Sequence, residues 1–271
     1  ALLTRPQQFR RDVRRLVAKS LLTTPFRASE GQHRFFLNTS HFGLESADYA
    51  VKLQRYNVRP LFFVHDLIPI THPEYCRPGS AIKHVARLKA MLELGHGIIC
   101  NSAATLADLQ RYAIQSGQTL PHTAVAPLAV SEMPSADVGR PLDAPYFVML
   151  GTIEARKNHW LILHVWRQLI QRYGHQTPKL VIIGQRGWEC ENVIDMLERC
   201  GVLREFVEER TDCSDAELSN YLKHSLALLF PSFVEGFGLP LVEALILGVP
   251  VIASDLPVFR EIAGEIPDYL D

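Results

Sequence analysis

Two acidic side chains flank a glycine-rich turn in the segment Phe230-Pro-Ser-Phe-Val-Glu235-Gly-Phe-Gly-Leu-Pro240-Leu-Val-Glu243-Ala-Leu. An apolar run leads into Glu235, and a helix is expected from Pro240 to Leu247, opened by proline and stopped by Gly248. The amides of Phe237, Gly238 and Leu239 would then lie at a helix N-terminus, where unpaired N–H groups and the helix dipole favour an anion. Gly236 and Gly238 let a ligand approach the main chain. Glu243 is placed in the first helical turn, so that both carboxylates can face one crevice and accept hydrogen bonds from sugar or ribose hydroxyls. Taken alone, Glu243 reads equally well as a glutamate that stabilises a helix dipole.

A second constellation is Gly151-Thr-Ile-Glu-Ala-Arg156-Lys157-Asn158, which joins a strand to a helix. Two cations at a helix N-terminus oppose the dipole. They are easier to understand with an anion between them, and a diphosphate leaving group fits. Gly184-Gln-Arg-Gly187-Trp follows another strand and reads as a wall of a nucleotide pocket or as a plain turn. The GxGxxG dinucleotide fingerprint is absent. In the first half, Phe62-Phe-Val-His65-Asp66 ends a strand with two titratable groups. Asn38-Thr-Ser-His41 and Asn101-Ser102 also follow strands and are candidates to border a donor or an acceptor. Asn101-Ser102 reads equally as a helix cap.

The elements that must carry these residues alternate. After residue 145, apolar runs at Tyr146–Gly151, Lys179–Gly184, Arg204–Glu208, Leu226–Pro231 and Val249–Ser254 read as strands. Helices are expected at Asn158–Tyr173, Glu191–Cys200, from the capping box Ser214-Asp-Ala-Glu217 to His224, and at Pro240–Leu247. Such alternation implies a parallel sheet covered on both faces, with ligands beyond the carboxyl ends of its strands. Before residue 131 the pattern is weaker. Strands are expected at Phe35–Asn38, Pro60–His65, Gly97–Asn101 and Thr123–Ala126, and helices near 43–56, 79–95 and 102–116. The proline-rich stretch 131–145 reads as a linker.

The combined pattern resembles the retaining, GT-B-fold glycosyltransferases of family 4 (glycosyltransferase group 1). Glu235-x7-Glu243 with its internal Phe-Gly-Leu-Pro is similar to that family's signature, and the stretch Gly248–Gly264 to its continuation. The resemblance is strong over residues 146–271 and loose over 60–126. It implies an α/β GT-B fold of two Rossmann-like parallel-sheet domains facing a cleft: residues 1–130 on the acceptor side, a linker at 131–145, and a nucleotide-sugar-binding domain at 146–271. The first domain is expected to be incomplete, since the glycine-rich loop usual after the family's first strand is missing.

The resemblance further implies that Glu235 contacts the donor hexose and Glu243 the nucleotide ribose. Phe237, Gly238 and Leu239 would meet sugar and phosphate, with Lys157 at the family's phosphate-binding lysine and Arg156 beside it. Thr152 stands where many members have arginine. His65 would face the transferred sugar from across the cleft. Glu235, His65 and Lys157 are thus the catalytic candidates. Arg156, Phe237, Gly238, Leu239, Glu243 and Gly184 are the donor-binding ones.

The expected reaction is metal-independent, retaining transfer of a hexose, mannose or glucose, from a GDP- or UDP-sugar to a glycan or lipid-linked acceptor, with no cofactor. A catalytically silent nucleotide-sugar-binding subunit and a nucleotide-sugar epimerase are the rival readings.

Bulk properties bound the partners. The chain has 271 residues, 47% hydrophobic and 21% charged, with formal net charge −1, which offers no global field for nucleic acid. The five cysteines have no CxxC spacing and read as reduced thiols. No apolar run reaches the roughly 20 residues of a membrane span. Residues 5–34 are basic and have near-helical apolar spacing. They read as a solvated surface helix or as a peripheral contact with anionic membrane, in keeping with a cytoplasmic chain on the inner face of the membrane.

Overall fold

The computed structural model describes residues 34–41, 43–46, 48–130 and 139–270. The basic segment 5–34 and most of the 131–145 stretch thus lie outside the described residues, Arg34 apart.

The first sheet has four strands in the order β1 (Arg34–Asn38), β2 (Val58–Val64), β3 (Gly97–Cys100), β4 (His122–Val125). β2, β3 and β4 run parallel. Helices α1 (Asp48–Tyr56), α2 (Ile68–Thr71), α3 (Ser80–Leu94) and α4 (Ala103–Gln115) lie between them in the chain. Phe62, Val64, Leu88, Met91, Ile98 and Leu109 form the core of this half.

The second sheet comprises β5 (Tyr146–Leu150), β6 (Lys179–Ile183), β7 (Val207–Arg210), β8 (Leu228–Phe230), β9 (Val251–Ser254) and β10 (Asp268–Leu270). All its pairs are parallel and the order is β10-β9-β8-β5-β6-β7. Helices α5 (His159–Tyr173), α6 (Glu191–Arg199), α7 (Asp215–Lys223), α8 (Leu239–Ile246) and α9 (Pro257–Ala263) connect the strands. The central strands are nearly all apolar and are covered by two separate core clusters, as burial on both faces of a parallel sheet requires. Apart from Arg34 at the start of β1, both sheets lie within one compact unit, Phe35–Asp271.

Strand order locates the site. The chain begins this sheet in the middle, at β5, winds outward through β6 and β7, then returns to β8 on the other side. The reversal falls between β5 and β8, and a doubly wound sheet opens a crevice at that point, beyond the carboxyl ends of the two strands. The loops that leave there are Gly151–Asn158 and Pro231–Gly238, the two segments richest in candidate residues.

Local boundaries differ from the sequence reading in ways that matter to the site. The helix after Lys157 begins at His159; Arg156 and Lys157 form a tight turn with Ala155, and Asn158 adopts φ +58°. Helix α8 starts at Leu239, one residue early, so Glu243 falls beyond its first turn, which holds no acid. The strand expected at Arg204–Glu208 is shifted to Val207–Arg210, because Gly201–Phe206 turn instead. The Ser214 capping box forms in full. All five cysteines are free, and no helix among the described residues is long and apolar enough to cross a membrane.

Candidate functional site

At the switch point the cations meet a carboxylate of the chain itself. Lys157 Nζ lies 2.5 Å from Glu235 Oε1, and Arg156 Nη1 lies 2.7 Å from Glu235 Oε2. Ser232 donates to Glu235 Oε1 at 2.8 Å, and Glu154 Oε1 takes the Nε side of Arg156 at 2.8 Å. The two loops are also joined through their main chains, since Phe233 N–H donates to the Arg156 carbonyl at 2.8 Å. The anion that two adjacent cations call for is, in this structure, Glu235.

Burial makes this cluster consequential. The Lys157 and Glu235 side chains are only 9% and 8% exposed. The Lys157 stem runs along Gly151, where a Cβ would stand 3.3 Å from Lys157 Cε. Its ammonium sits 4.8 Å from the centroid of the Phe230 ring, a cation–π geometry. Burial lowers the Lys157 pKa; Glu235 opposes that shift and Arg156 adds to it. For Arg156, burial works against the charge, but Glu235 and Glu154 outweigh it and the pKa is raised. A buried charge needs such partners, because desolvation of an unpaired ion costs several kcal/mol.

The glycine-rich turn follows. Gly238 has φ +115°, and a Cβ there would stand 2.8 Å from Phe259 Cε1. Conformation and packing therefore both require glycine. The amides of Phe237, Gly238 and Leu239 make no hydrogen bond among the described residues, which leaves donors at the start of α8 available to an anion. The Phe237 side chain is buried and belongs to the interior, whereas Leu239 is 38% exposed.

Glu243 stands apart from this cluster. It is half-buried, and its pKa is raised by burial and then by the charge of Asp215. It is not among the residues lining the cavity that Glu235 and Arg156 line. Gly184 follows β6, and a Cβ on it would overlap the Gly151 carbonyl oxygen. Close approach of two strand ends thus accounts for this glycine.

His65 follows β2 in the first half. Its Nε2 lies 2.9 Å from the Thr39 carbonyl oxygen, and its ring is 5.6 Å from that of His41. His41 Nε2 lies 3.3 Å from the Phe63 carbonyl and His84 Nε2 lies 3.1 Å from that of Asp66. A carbonyl oxygen only accepts, so Nε2 is the donor in each of these contacts. Burial and the neighbouring His84 and His65 push the pKa of His41 down to about 4. The His65 loop reaches the second half through its main chain: a Cβ on Gly236 would overlap the His65 carbonyl and stand 2.7 Å from Asp66 Cβ.

Between the halves lies an open cavity of about 410 Å³, lined by Asp66, Tyr75 and Arg77 from one side and Glu154, Arg156, Trp188 and Glu235 from the other. Tyr75, which lines it, also stacks on the Phe233 ring of the second half, 5.3 Å apart and 1° from parallel. Carboxylates, guanidinium groups and an indole suit a polar ligand with apolar ring faces. A larger apolar cavity, about 600 Å³, lies against α5 and β9, but it lacks convergent charged groups. Trp188 closes the segment 184–188 that the sequence reads as a pocket wall or a plain turn, and it lines the cavity between the halves; the reading from sequence gave no role to Ser232 or Glu154. Ser232 stands three residues before Glu235 and Glu154 two before Arg156, yet neither spacing announces a shared carboxylate. Among the described residues no group of three or more His, Cys, Asp or Glu is arranged to hold a metal ion.

The profile of the family described as glycosyl transferases group 1 matches residues 132–266, the half that carries the Glu235 cluster. The serotype-specific mannosyltransferase WbdA of Escherichia coli is 31% identical over 225 residues, covering 75% of this chain and 27% of that protein. The chain belongs to the group 1 glycosyl transferases. The O-antigen chain mannosyltransferase RfbU of Salmonella typhimurium is 42% identical over 120 residues, 43% of this chain and 31% of its own. This family member therefore spans about a quarter to a third of the length of these relatives in the matched region. Its fold is shared with the UDP-forming α,α-trehalose-phosphate synthase of Burkholderia xenovorans, at TM-score 0.66, 12% identity, 96% of this chain and 65% of that one. Such neighbours make the two parallel α/β sheets a GT-B arrangement.

Proposed function

We propose that the protein transfers a hexosyl group from a nucleoside-diphosphate sugar to a hydroxyl of a growing glycan, with retention at the anomeric carbon. The observation that carries this reading is the convergence of Lys157 and Arg156 on Glu235 at the switch point, beside the amides of Gly238 and Leu239, which make no hydrogen bond among the described residues. Mannose is the favoured hexose and a polysaccharide chain of O-antigen type the favoured acceptor, because WbdA and RfbU are mannosyltransferases and RfbU acts on an O-antigen chain. GDP-mannose is thus the first donor to test and UDP-glucose the second.

In this reading the diphosphate lies against the start of α8. Lys157 and Arg156 shift part of their charge from Glu235 to the phosphate oxygens and stabilise the charge that develops as the glycosidic bond breaks. Glu235, held by Ser232, then accepts hydrogen bonds from the donor hexose. Glu243, outside the ion cluster, is assigned the ribose, and His65 the transferred sugar from the first half. The acceptor hydroxyl attacks from the face that the diphosphate leaves. Positive charge from the two side chains and the helix end does what a metal does elsewhere, so turnover should withstand EDTA.

The test is Lys157→Ala, assayed with GDP-mannose and UDP-glucose after a thermal-shift panel of nucleotide sugars has shown which donor stabilises the chain. A fall in kcat of about 10²-fold or more is expected. Full turnover in this variant would remove the leaving-group role and the reading with it.

A further inference from the structure

The start of helix α4 holds one carbonyl from each side of the cleft. Asn101 Nδ2 donates to the His65 carbonyl at 2.8 Å. Ser102 Oγ and Thr105 Oγ1 each lie 3.2 Å from the Gly236 carbonyl oxygen, within donating distance. These three side chains are 2%, 0% and 4% exposed, so their polar atoms need the partners they have. The segment also meets the second half at a further point. Glu261, on α9, accepts from the amides of Ala103 at 2.6 Å and Ala104 at 3.0 Å, the first-turn donors that a helix leaves unpaired. Ser102 already caps the same helix by accepting from Thr105 N–H at 3.0 Å. Glu261 is therefore surplus to forming the helix; what it adds is an attachment between the halves.

We propose that Asn101, Ser102, Thr105 and Glu261 are positioning residues that set the separation of His65 and Glu235. The carbonyls they grip belong to His65 itself and to Gly236, the residue after Glu235. A shift of α4 relative to α9 therefore moves one loop against the other. None of the four side chains belongs to the ion cluster around Glu235, so they act through the two loops. The consequence for turnover rests on the donor site proposed above; the clamp itself does not.

Two variants test it. Thr105→Val keeps the shape of the side chain and removes the hydroxyl, with Thr105→Ser as the conservative rescue. Glu261→Ala removes the attachment at α9 while Ser102 still caps α4. Spectroscopic labels introduced as unnatural amino acids at Ile82 and Ile266, 77% and 75% exposed and one in each half, report the separation by pulsed electron resonance without any substrate. The expected result is a longer or broader distance distribution in Thr105→Val and Glu261→Ala, restored in Thr105→Ser. With GDP-mannose or UDP-glucose as donor, kcat should fall about tenfold or more, as small displacements at a reacting centre do. The calorimetric Kd for GDP or UDP should stay within twofold, and Thr105→Ser should recover kcat to within twofold. Unchanged distances in both variants overturn the proposal. So does a parallel loss of kcat and nucleotide affinity, which a merely structural role would give, or a displaced distribution with kcat unaltered. A wild-type chain without turnover counts against the glycosyl-transfer reading alone, and the clamp is then judged on the distances.

Discussion

The two sides of the cleft are built on different physics. On the second side, Lys157 and Glu235 are withdrawn from water and, with the part-buried Arg156, stabilise one another by charge. On the first side, a single core cluster supports β2, and the imidazoles of His41, His65 and His84 hold the loop through backbone carbonyls. The strand β1 at its edge even leaves Phe35 and Leu37 more than half exposed. Charge in a low-dielectric setting is strong and intolerant of a missing partner. Hydrogen bonds from imidazoles to backbone carbonyls are weaker and more forgiving. The Glu235 side should therefore be brittle to substitution, and the His65 side adaptable.

The largest expected effect breaks or upholds this contrast directly. Glu235→Ala strands two cations, one of them buried, and should lower the unfolding free energy in urea by about 3–5 kcal/mol. A loss below about 1 kcal/mol would mean that water screens the cluster, and the contrast would fall.

The next effect is pH. His159, 2% exposed, has its pKa pushed down to about 4 by burial and then by the charge of Lys157; the His41 pKa is shifted in the same sense, also to about 4. An unfolded chain binds these protons below the ordinary value near 6.5, and the folded chain does not. Their contribution is thus fully present above pH 6.5 and is lost as pH falls toward 4. For His159 the slope should be up to about 1.4 kcal/mol per pH unit. Stability that is flat between pH 6.5 and 4.5, in chain variants retaining only one of these histidines in turn, would show that the site opens to water.

Gly184→Ala probes how tightly the switch point is closed. The added carbon overlaps the Gly151 carbonyl, and about 1–3 kcal/mol of stability should be lost. Gly201→Ala meets open space and should change stability by no more than about 0.5 kcal/mol. Equal effects would show that backbone crowding does not set the geometry of the Glu235 side.

Among the candidate site residues, the smallest effect on stability is expected on the other side. His65→Ala removes one hydrogen bond to Thr39 and should cost about 1 kcal/mol in thermal unfolding, while turnover falls far more than stability does. A loss as large as that of Glu235→Ala would erase the distinction between the two sides.

Much of this was legible in the order of residues alone. Alternating apolar strands and amphipathic helices identify parallel sheets, because backbone periodicity and burial are local matters. The capping box at Ser214 was readable for the same reason, since its two hydrogen bonds close within four residues. Glu235, Lys157 and Arg156 stood out by type and by position at strand ends. Boundaries were less secure. Helix α8 begins at Leu239, and this one-residue change takes Glu243 out of the first turn.

Only the tertiary structure decided which charges meet. Lys157 and Glu235 are separated by 78 residues, and nothing local to either says that the pair shares a carboxylate with Arg156. That pairing follows from the return of the chain from β7 to β8, which sets two distant loops side by side at the reversal of the sheet. The same holds for the grip of Ser102 and Thr105 on Gly236, across more than 130 residues. Sequence determined the elements and the kinds of chemistry available to them, because those depend on neighbours in the chain. Packing determined the partners, because long-range electrostatics and burial depend on neighbours in space.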